Sequence, residues 1–372
     1  MKSKYEDVVC HVKSVRQSSG LSQSRLADLV GVKRQAIYDI ETGKYMPNTA
    51  LALRLAAHLK CRVEDLFSEQ ISNEIQGINL VEEDGWENQR VAVAKIRGRL
   101  VGYSLAGIRS FNDGFRPADG LLAPDGSTVR LLCSDAIVDK TIMLLGCDPA
   151  FSILSAHVSR NAPDMRIHCR FASSYRALRG LASGNAHIAG AHLHNNQPGE
   201  SNVALAHEML AGAKVTVVAF SLLEEGLMVS RGNPYQIRDV RDLADGKIRL
   251  ANREEGAALR TLLDDYLDRF GIPRDAVKGY YNEVSSHVDG AQMVAYKFAD
   301  AALGFRAVAH AFGLDFVPIE TVRCDLVIPN DLVDHPVVSI VLDTLHDRRL
   351  RDELRALPGY ESSRTGSVIA DS

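Results

Sequence analysis

The sequence predicts a two-part chain: a small all-α domain at the N-terminus and a larger α/β domain behind it, joined by a short β connector. Three observations carry this reading. The stretch from Leu21 to Pro47, LSQSRLADLVGVKRQAIYDIETGKYMP, has helical apolar spacing interrupted once by a glycine. Residues 90–105 alternate partially around Arg97-Gly98, which is placed like a hairpin turn. From Thr128 to about Ile328 short apolar strands alternate with helices, the pattern of an α/β fold. At 372 residues and 46% hydrophobic content, the chain has room for one small domain and one or two larger ones.

In the first part, Ser22 is a helix-starting residue whose hydroxyl can accept from a free first-turn amide. Leu26, Leu29 and Val30 then share one helical face. Gly31 supplies a sharp turn, because it tolerates positive φ. A second helix is expected from Lys33 to Glu41, with Ala36, Ile37 and Ile40 inward, closed by Thr42-Gly43. Lys33, Arg34, Gln35, Tyr38 and Asp39 are left outside. Long polar side chains of this kind reach base edges and phosphates when a helix lies in the major groove. The pattern is that of a DNA-binding helix-turn-helix.

These residues carry a resemblance. SQ-x-x-LA, then G-V, then I-x-x-IE-x-G-x-x-x-P, over roughly residues 5 to 67, is similar to the DNA-binding domain of Xre/Cro-type repressors. The resemblance implies that Gln23 touches phosphate and that Lys33, Arg34, Gln35 and Tyr38 lie on the recognition helix. It places Lys44 and Tyr45 against the DNA backbone. Charge agrees: residues 1–70 hold 11 Lys/Arg against 8 Asp/Glu, so +3 here against −4 for the whole chain leaves −7 for the remainder.

The six cysteines, Cys10, Cys61, Cys133, Cys147, Cys169 and Cys324, form no CxxC pair and no tight cluster, which argues for reduced thiols in a cytoplasm. No signal-peptide core precedes the first domain, and apolar runs such as Val215 to Leu223 are too short to cross a bilayer. Ser68 to Glu87 reads as a polar exit from the helical domain. Residues 90–105, with the Gly/Asp/Pro-rich segment 112–127 behind them, read as a β connector without chemistry of its own.

Along the larger part, Val129 to Cys133 is expected as a strand ending at Ser134-Asp135, followed by a helix from Ala136 to Leu145. Met165 to Phe171 is a second strand, then Ala172-Ser173-Ser174 and a helix from Tyr175 to Ser183. His187 to Ala191 is a third, ending at His192-Leu193-His194-Asn195-Asn196. Each strand ends in hydroxyl, amide or imidazole groups, at the edge where open α/β sheets bind ligands and where helix N-termini favour anions. Val215 to Phe220 and Gly226 to Val229 are expected as strands, as are Ile248 to Leu250, Leu303 to Phe305, Phe316 to Ile319 and Cys324 to Ile328. Helices are expected at Ala257 to Phe270 and Met293 to Ala302. Val337 to Ala356 reads as one amphipathic helix packed on the outside.

The blocks ASSYRALRGLASGNAHIAGAHLHN, EEGLMVSRGNP, ANREEGAALRTLLDDYL, KGYYNEVSSHVDGAQMVAYKFADAALGF and GLDFVPIETVRCDLVI resemble the periplasmic-binding-protein-like domain of cytoplasmic regulators, kin to molybdate-binding proteins. The resemblance implies a two-lobed, type II binding-protein fold that closes on a small-molecule effector, with hinge closure as its two-state element. It lines the cleft with Ser134, Ser173, Ser174 and His192, then Asn202, Asn252 and Arg253, and finally Glu254, Arg260 and His287. One departure matters. Where the family has Asn-Arg-x-x-Gly-Ser-Gly-Thr-Arg, this chain has Asn252-Arg253-Glu254-Glu255-Gly256-Ala257-Ala258-Leu259-Arg260. Two hydroxyls are lost and two carboxylates stand nearby, which disfavours molybdate or tungstate and favours a small anionic or zwitterionic organic ligand.

The serines also read as helix caps, and Arg253 and Arg260 as partners of Glu254, Glu255 or Asp264. His192 and His194 form an H-x-H pair, but no third metal ligand is evident, and no cofactor is expected. An enzyme would need a nucleophile beside a base; Cys133 or Cys147 with His192, or Glu254 with Glu255, are the nearest candidates, without motif spacing. The expected divisions are 1–70 for DNA binding, 71–127 for the connector, 128–330 for sensing and 331–372 for the C-terminal helix and tail. The expected whole is a ligand-responsive DNA-binding regulator, a homodimer on a double-stranded operator with no membrane partner.

Overall fold

The computed structural model describes residues 8–69, 75–81, 89–106, 116–194, 200–211 and 213–371. Asn195, Asn196 and parts of 68–87 and 112–127 lie outside the described residues. Two compact units result: residues 1–76 with 129–135, and residues 77–128 with 136–372.

In the first unit, strand β1 (Val8–Cys10) leads to helices α1 (Val12–Ser18), α2 (Gln23–Val30), α3 (Arg34–Glu41), α4 (Thr49–Leu59) and α5 (Val63–Leu66). The Ser22 hydroxyl accepts from the Arg25 amide at 3.1 Å, and Gly31 turns the chain at φ 72°, as its spacing implied. Helix α3 starts after Lys33 and ends at Thr42, with Gly43 at φ 71°. Leu26, Ile37, Ile40, Leu55 and Leu66 are fully buried between the helices. The segment after α5 departs from the expected polar exit: strand β2 (Phe67–Glu69) pairs antiparallel with β1, Cys10 opposite Phe67. Three residues each are too short for a period-2 signal to show, so only pairing reveals them.

The second unit opens with the expected hairpin. Strands β3 (Arg90–Ile96) and β4 (Arg99–Ser104) turn through Arg97 and Gly98, both at positive φ. A third strand, β5 (Gly120–Leu122), pairs with β3. The hairpin is more than a connector. Ala94, Ile96, Val101 and Tyr103 share a core with Met143 and Leu145 of the main sheet, so both hairpin faces are covered and alternation along β3 is weak.

The expected helix from Ala136 to Leu145 is instead a short helix, α6 (Asp135–Asp139), followed by strand β6 (Thr141–Gly146), whose residues are all buried. A strand buried on both faces reads as a continuous apolar run, which periodicity does not separate from a buried helix. Helix α7 (Phe151–Asn161) and strand β7 (Arg166–Phe171) follow, then α8 (Ser174–Ala182), β8 (Ile188–Ala191) and α9 (Ser201–Met209). Strands expected as two pieces are continuous: β9 runs from Val215 to Val229. Next come β10 (Leu250–Arg253), α10 (Ala258–Arg269), β11 (Glu283–Val284), α11 (His287–Ala295), β12 (Ala301–Phe305) and α12 (Arg306–Ala311). Strand β13 (Asp315–Pro329) is again unbroken.

The main sheet has the order β7-β6-β8-β13-β9-β12-β10-β11. Strands β6, β7 and β8 run parallel and form one lobe with α7 to α9; β10, β11 and β12 run parallel and form the other with α10 and α11. The antiparallel pair β9 and β13 passes through both lobes, with register shifts at Ala219/Ser221 and Glu225/Gly226. A Cβ on Gly226 would stand 2.1 Å from the Val317 carbonyl oxygen, so the crossing accepts only glycine there.

The tail is part of this core. The single helix expected over Val337 to Ala356 is two, α13 (Pro336–Thr344) and α14 (Arg348–Arg355), with Val337, Val341, Leu350 and Leu354 fully buried. Strands β14 (Tyr360–Glu361) and β15 (Val368–Asp371) then pair with β9. Among the described residues, no helix is long and apolar enough to cross a membrane.

Candidate DNA-binding surface and ligand cavity

Helix α3 packs inward through Ile37 and Ile40 and leaves Lys33, Arg34, Gln35 and Tyr38 exposed. Gln35 donates to Asp39 at 2.9 Å, and the Lys44 ammonium stands 5.4 Å from the centre of the Tyr38 ring. Tyr45 is also exposed. Gln23 is placed differently from the other six. Its amide donates to Glu41 at 2.8 Å, and Arg16 holds the same buried carboxylate at 2.5 Å. Burial alone would raise the Glu41 carboxyl, but these hydrogen bonds and the Arg16 charge outweigh it and hold it below the usual range.

In the second unit, a cavity of about 230 Å³ opens where strands β6 and β7 end against the start of α11. Arg116, Arg170, Ser152 and Ser286 give it polar walls, and Phe151 and Phe171 give it apolar ones. The Phe151 ring lies on Gly146 and Gly190; a Cβ at Gly146 would come within 2.4 Å of the ring. Cys147, Asp148 and His287 close the inner end.

Behind that end lies a chain of buried polar groups. Cys147 Sγ stands 2.6 Å from His192 Nε2, and His192 Nδ1 stands 2.6 Å from Glu225 Oε1. Glu225 is fully buried, and among the described residues its Oε2 has no hydrogen-bond partner. Burial opposes an imidazolium at His192, yet the Cys147 and Glu225 charges outweigh it and hold this histidine well above its ordinary value. Burial, with Arg253 and His192 beside it, pushes His287 well below. The two rings stand 6.4 Å apart, and their surroundings shift them in opposite directions. Burial raises Asp148; its Oδ1 accepts from the Tyr360 hydroxyl at 2.7 Å, which brings the C-terminal segment to the cavity.

Of the residues expected to line the cleft, His287 lines this cavity, and His192 stands one contact behind it. Arg253 is buried, with its NH1 3.1 Å from His287 Nδ1 and its fork on Glu254. Glu254 is thereby engaged, while Glu255 is exposed. Ser173 precedes α8, and the buried Ser174 hydroxyl accepts from the His192 amide at 3.2 Å. Asn202 lies elsewhere, bridging the Leu193 amide and Asp325. Asn252 donates to the Tyr280 carbonyl, and Arg260 stacks 4.0 Å from the Tyr280 ring centre. Ser134 and Cys133 fall in the first compact unit and are not among the residues lining this cavity. The misread helix explains the displacement: the strand end facing the cavity is Gly146-Cys147-Asp148, one element later. Arg116, Arg170, Phe151 and Glu225 carried no sequence signal, since only the fold joins them.

The H-x-H pair diverges, because His194 Nε2 bonds Asp265 at 2.7 Å. Cys147, His192 and His287 instead offer three ligand atoms within 4.8 Å of one another. A metal there would sit beside the Arg253 guanidinium, where each pair of like charges at about 4 Å costs about 4 kcal/mol at an effective dielectric near 20. All six cysteines are free thiols.

Residues 12–66 match a helix-turn-helix family model, and residues 155–346 match that of the PBP superfamily domain. An uncharacterised Bacillus subtilis (strain 168) protein, YvgK, is 30% identical over 230 residues, 62% of this chain and 74% of its own length. An HTH-type transcriptional regulator of Archaeoglobus fulgidus is 41% identical over 56 residues, 15% of this chain and 80% of its own. The solved structure of Peb3 from Campylobacter jejuni is similar at a TM-score of 0.42 and 14% identity, over 59% of this chain and 99% of that one. The chain belongs to the PBP superfamily domain family and carries that domain behind an Xre-type helix-turn-helix.

Proposed function

We propose that this chain is a cytoplasmic transcriptional repressor whose two-lobed domain binds a small anionic or zwitterionic effector. The observation that supports it is the cavity itself. Arg116 and Arg170 line it as cations that favour a carboxylate, with Arg170 also donating to the Ser104 carbonyl at 2.8 Å and Arg116 to the Cys169 carbonyl at 3.5 Å. Ser152 and Ser286 add hydroxyls, and Phe151 and Phe171 cover an apolar body. The DNA-reading face is Lys33, Arg34, Gln35 and Tyr38, with Lys44 and Tyr45 on phosphate. The chain acts as a homodimer on two half-sites about one helical turn apart. Effector binding draws the lobes together about β9 and β13 and changes how the two helix-turn-helix domains meet the operator.

Thermal-shift titration of the full chain against molybdate, tungstate, sulfate and a panel of small organic acids and amino acids tests the effector class. A ligand at a hundredfold excess over its Kd stabilises the folded state by about 2.7 kcal/mol. A shift with one organic acid supports the proposal. A shift with molybdate or tungstate alone makes the protein a metal-oxyanion sensor. Operator footprints that do not change with a ligand that binds would sink the coupling but leave DNA recognition standing.

A further inference from the structure

We infer that Cys147 is a nucleophilic thiol, served by His192 and Glu225, that captures small carboxylate-bearing electrophiles in the inter-lobe cavity. The inference rests on the ligand-sensing reading above and adds a covalent step to it. Three observations carry it. Cys147 Sγ, His192 Nε2 and Glu225 Oε1 form an unbroken chain with both contacts at 2.6 Å, the order nucleophile, base and orienting carboxylate. Glu225 sits at the Glu225/Gly226 register shift of the strand that crosses both lobes, so its carboxylate is fixed by backbone geometry rather than by a mobile loop. Cys147 lines the cavity that also presents Arg116 and Arg170, so a reagent held by its carboxylate has the sulfur within the same small space.

Two other cysteines near this site stand differently. Cys324, though fully buried nearby, lines no part of the cavity, and Cys169 shares its wall with its Sγ 3.4 Å from the Phe151 carbonyl. A thiol in contact with an imidazole that a carboxylate orients is the arrangement of an activated nucleophile.

The step is a conjugate addition. The Cys147 thiolate forms a C–S bond to the β-carbon of an activated alkene whose carboxylate rests on the arginines. The alkene π pair moves to the α-carbon, which takes the proton from His192 Nε2. The net change is addition of S–H across the double bond, with no other reactant. A saturated thioether then occupies the cavity between the lobes.

The test alkylates the full chain with iodoacetate and with iodoacetamide, maps every cysteine by mass spectrometry, and divides each rate by that of the same reagent on a free cysteine peptide. In that reaction the sulfur displaces iodide. Cys147 is expected to react at least tenfold faster than any other cysteine. The iodoacetate rate should exceed the iodoacetamide rate, and Arg170→Gln should cut the first at least fivefold while leaving the second within twofold. His192→Gln should cut both Cys147 rates at least tenfold; if that variant does not fold, the ranking of the cysteines and the Arg170→Gln ratio decide alone. Acrylate should then give a single adduct, on Cys147. A Cys147 rate no greater than that of the other cysteines, or equal rates for the two reagents, overturns the inference. So does protection of Cys147 by zinc at stoichiometric concentration, which would make the cluster a metal site. A noncovalent ligand that still shifts the melting temperature in any of those cases leaves the sensing proposal intact.

Discussion

On helix α3 the polar side chains of Lys33, Arg34 and Tyr38 stand in solvent, while in the second unit His192, Glu225 and Asp148 are buried and already engaged with neighbours. Both regions are polar, but their energetics are opposite. An exposed lysine or arginine costs little to keep ready and gains by displacing counterions from phosphate. A buried carboxylate such as Glu225 is tolerable only while its partner stays in place. Substitution on α3 should therefore alter recognition without altering the fold, and substitution behind the cavity should do both.

The largest effect tests that contrast directly. Glu225→Ala strips the buried partner from His192 and should lower stability by about 3–5 kcal/mol, read from denaturant midpoints at constant slope. Gly146→Ala comes next. Its Cβ would push the Phe151 ring from the cavity wall, so ligand-induced stabilisation should fall by more than the melting temperature of the free protein. An unchanged ligand response would mean that the ring does not shape the site. In the first unit, Arg34→Ala should weaken operator binding by about 1–3 kcal/mol and relax base preference, with an unchanged melting curve. Lys44→Ala should act uniformly across sequences and lower the salt slope by about 1, in anisotropy titrations at several salt concentrations.

The smallest effect is one of pH. Because the folded Glu41 carboxyl lies below its unfolded value, its pairing with Arg16 and Gln23 stabilises the unit fully above about pH 4.3. That contribution is lost as pH falls through the lowered folded value. Amide exchange in α1 to α4 should therefore accelerate below pH 4 in the wild type, and Glu41→Gln should flatten that dependence. A wild type and variant with the same acid profile would remove Glu41 from the account.

The helix-turn-helix was legible because its determinants are local. Ser22, Gly31 and Gly43 act through their own turns, and the apolar positions repeat within eight residues. Even there one side chain escaped: Gln23 turns to Glu41, a partner 18 residues away. In the larger domain the strand–helix alternation was legible, but buried strands were not cleanly separable from helices. The helix expected over Ala136 to Leu145 covers most of the buried strand Thr141–Gly146, so the expected strand end falls at Ser134, one element before the cavity. His287 and His192 were legible as polar residues at element boundaries. Cys147 is legible only as one of two cysteines that could serve with His192, without motif spacing, and Glu225 is not legible, since 33 residues separate it from His192.

The sequence by itself determined the helix-turn-helix, the polar side chains its second helix turns to solvent, the hairpin turn at Arg97-Gly98 and the α/β class, all of them consequences of short-range periodicity and turn chemistry. Only the tertiary structure decided that β9 and β13 run unbroken through both lobes and that the C-terminal segment brings Tyr360 to Asp148. It alone set Cys147, His192 and Glu225 in one line. The physical reason is that strand pairing and burial join residues far apart in the chain. Neither leaves a mark in local spacing when both faces of a strand are covered.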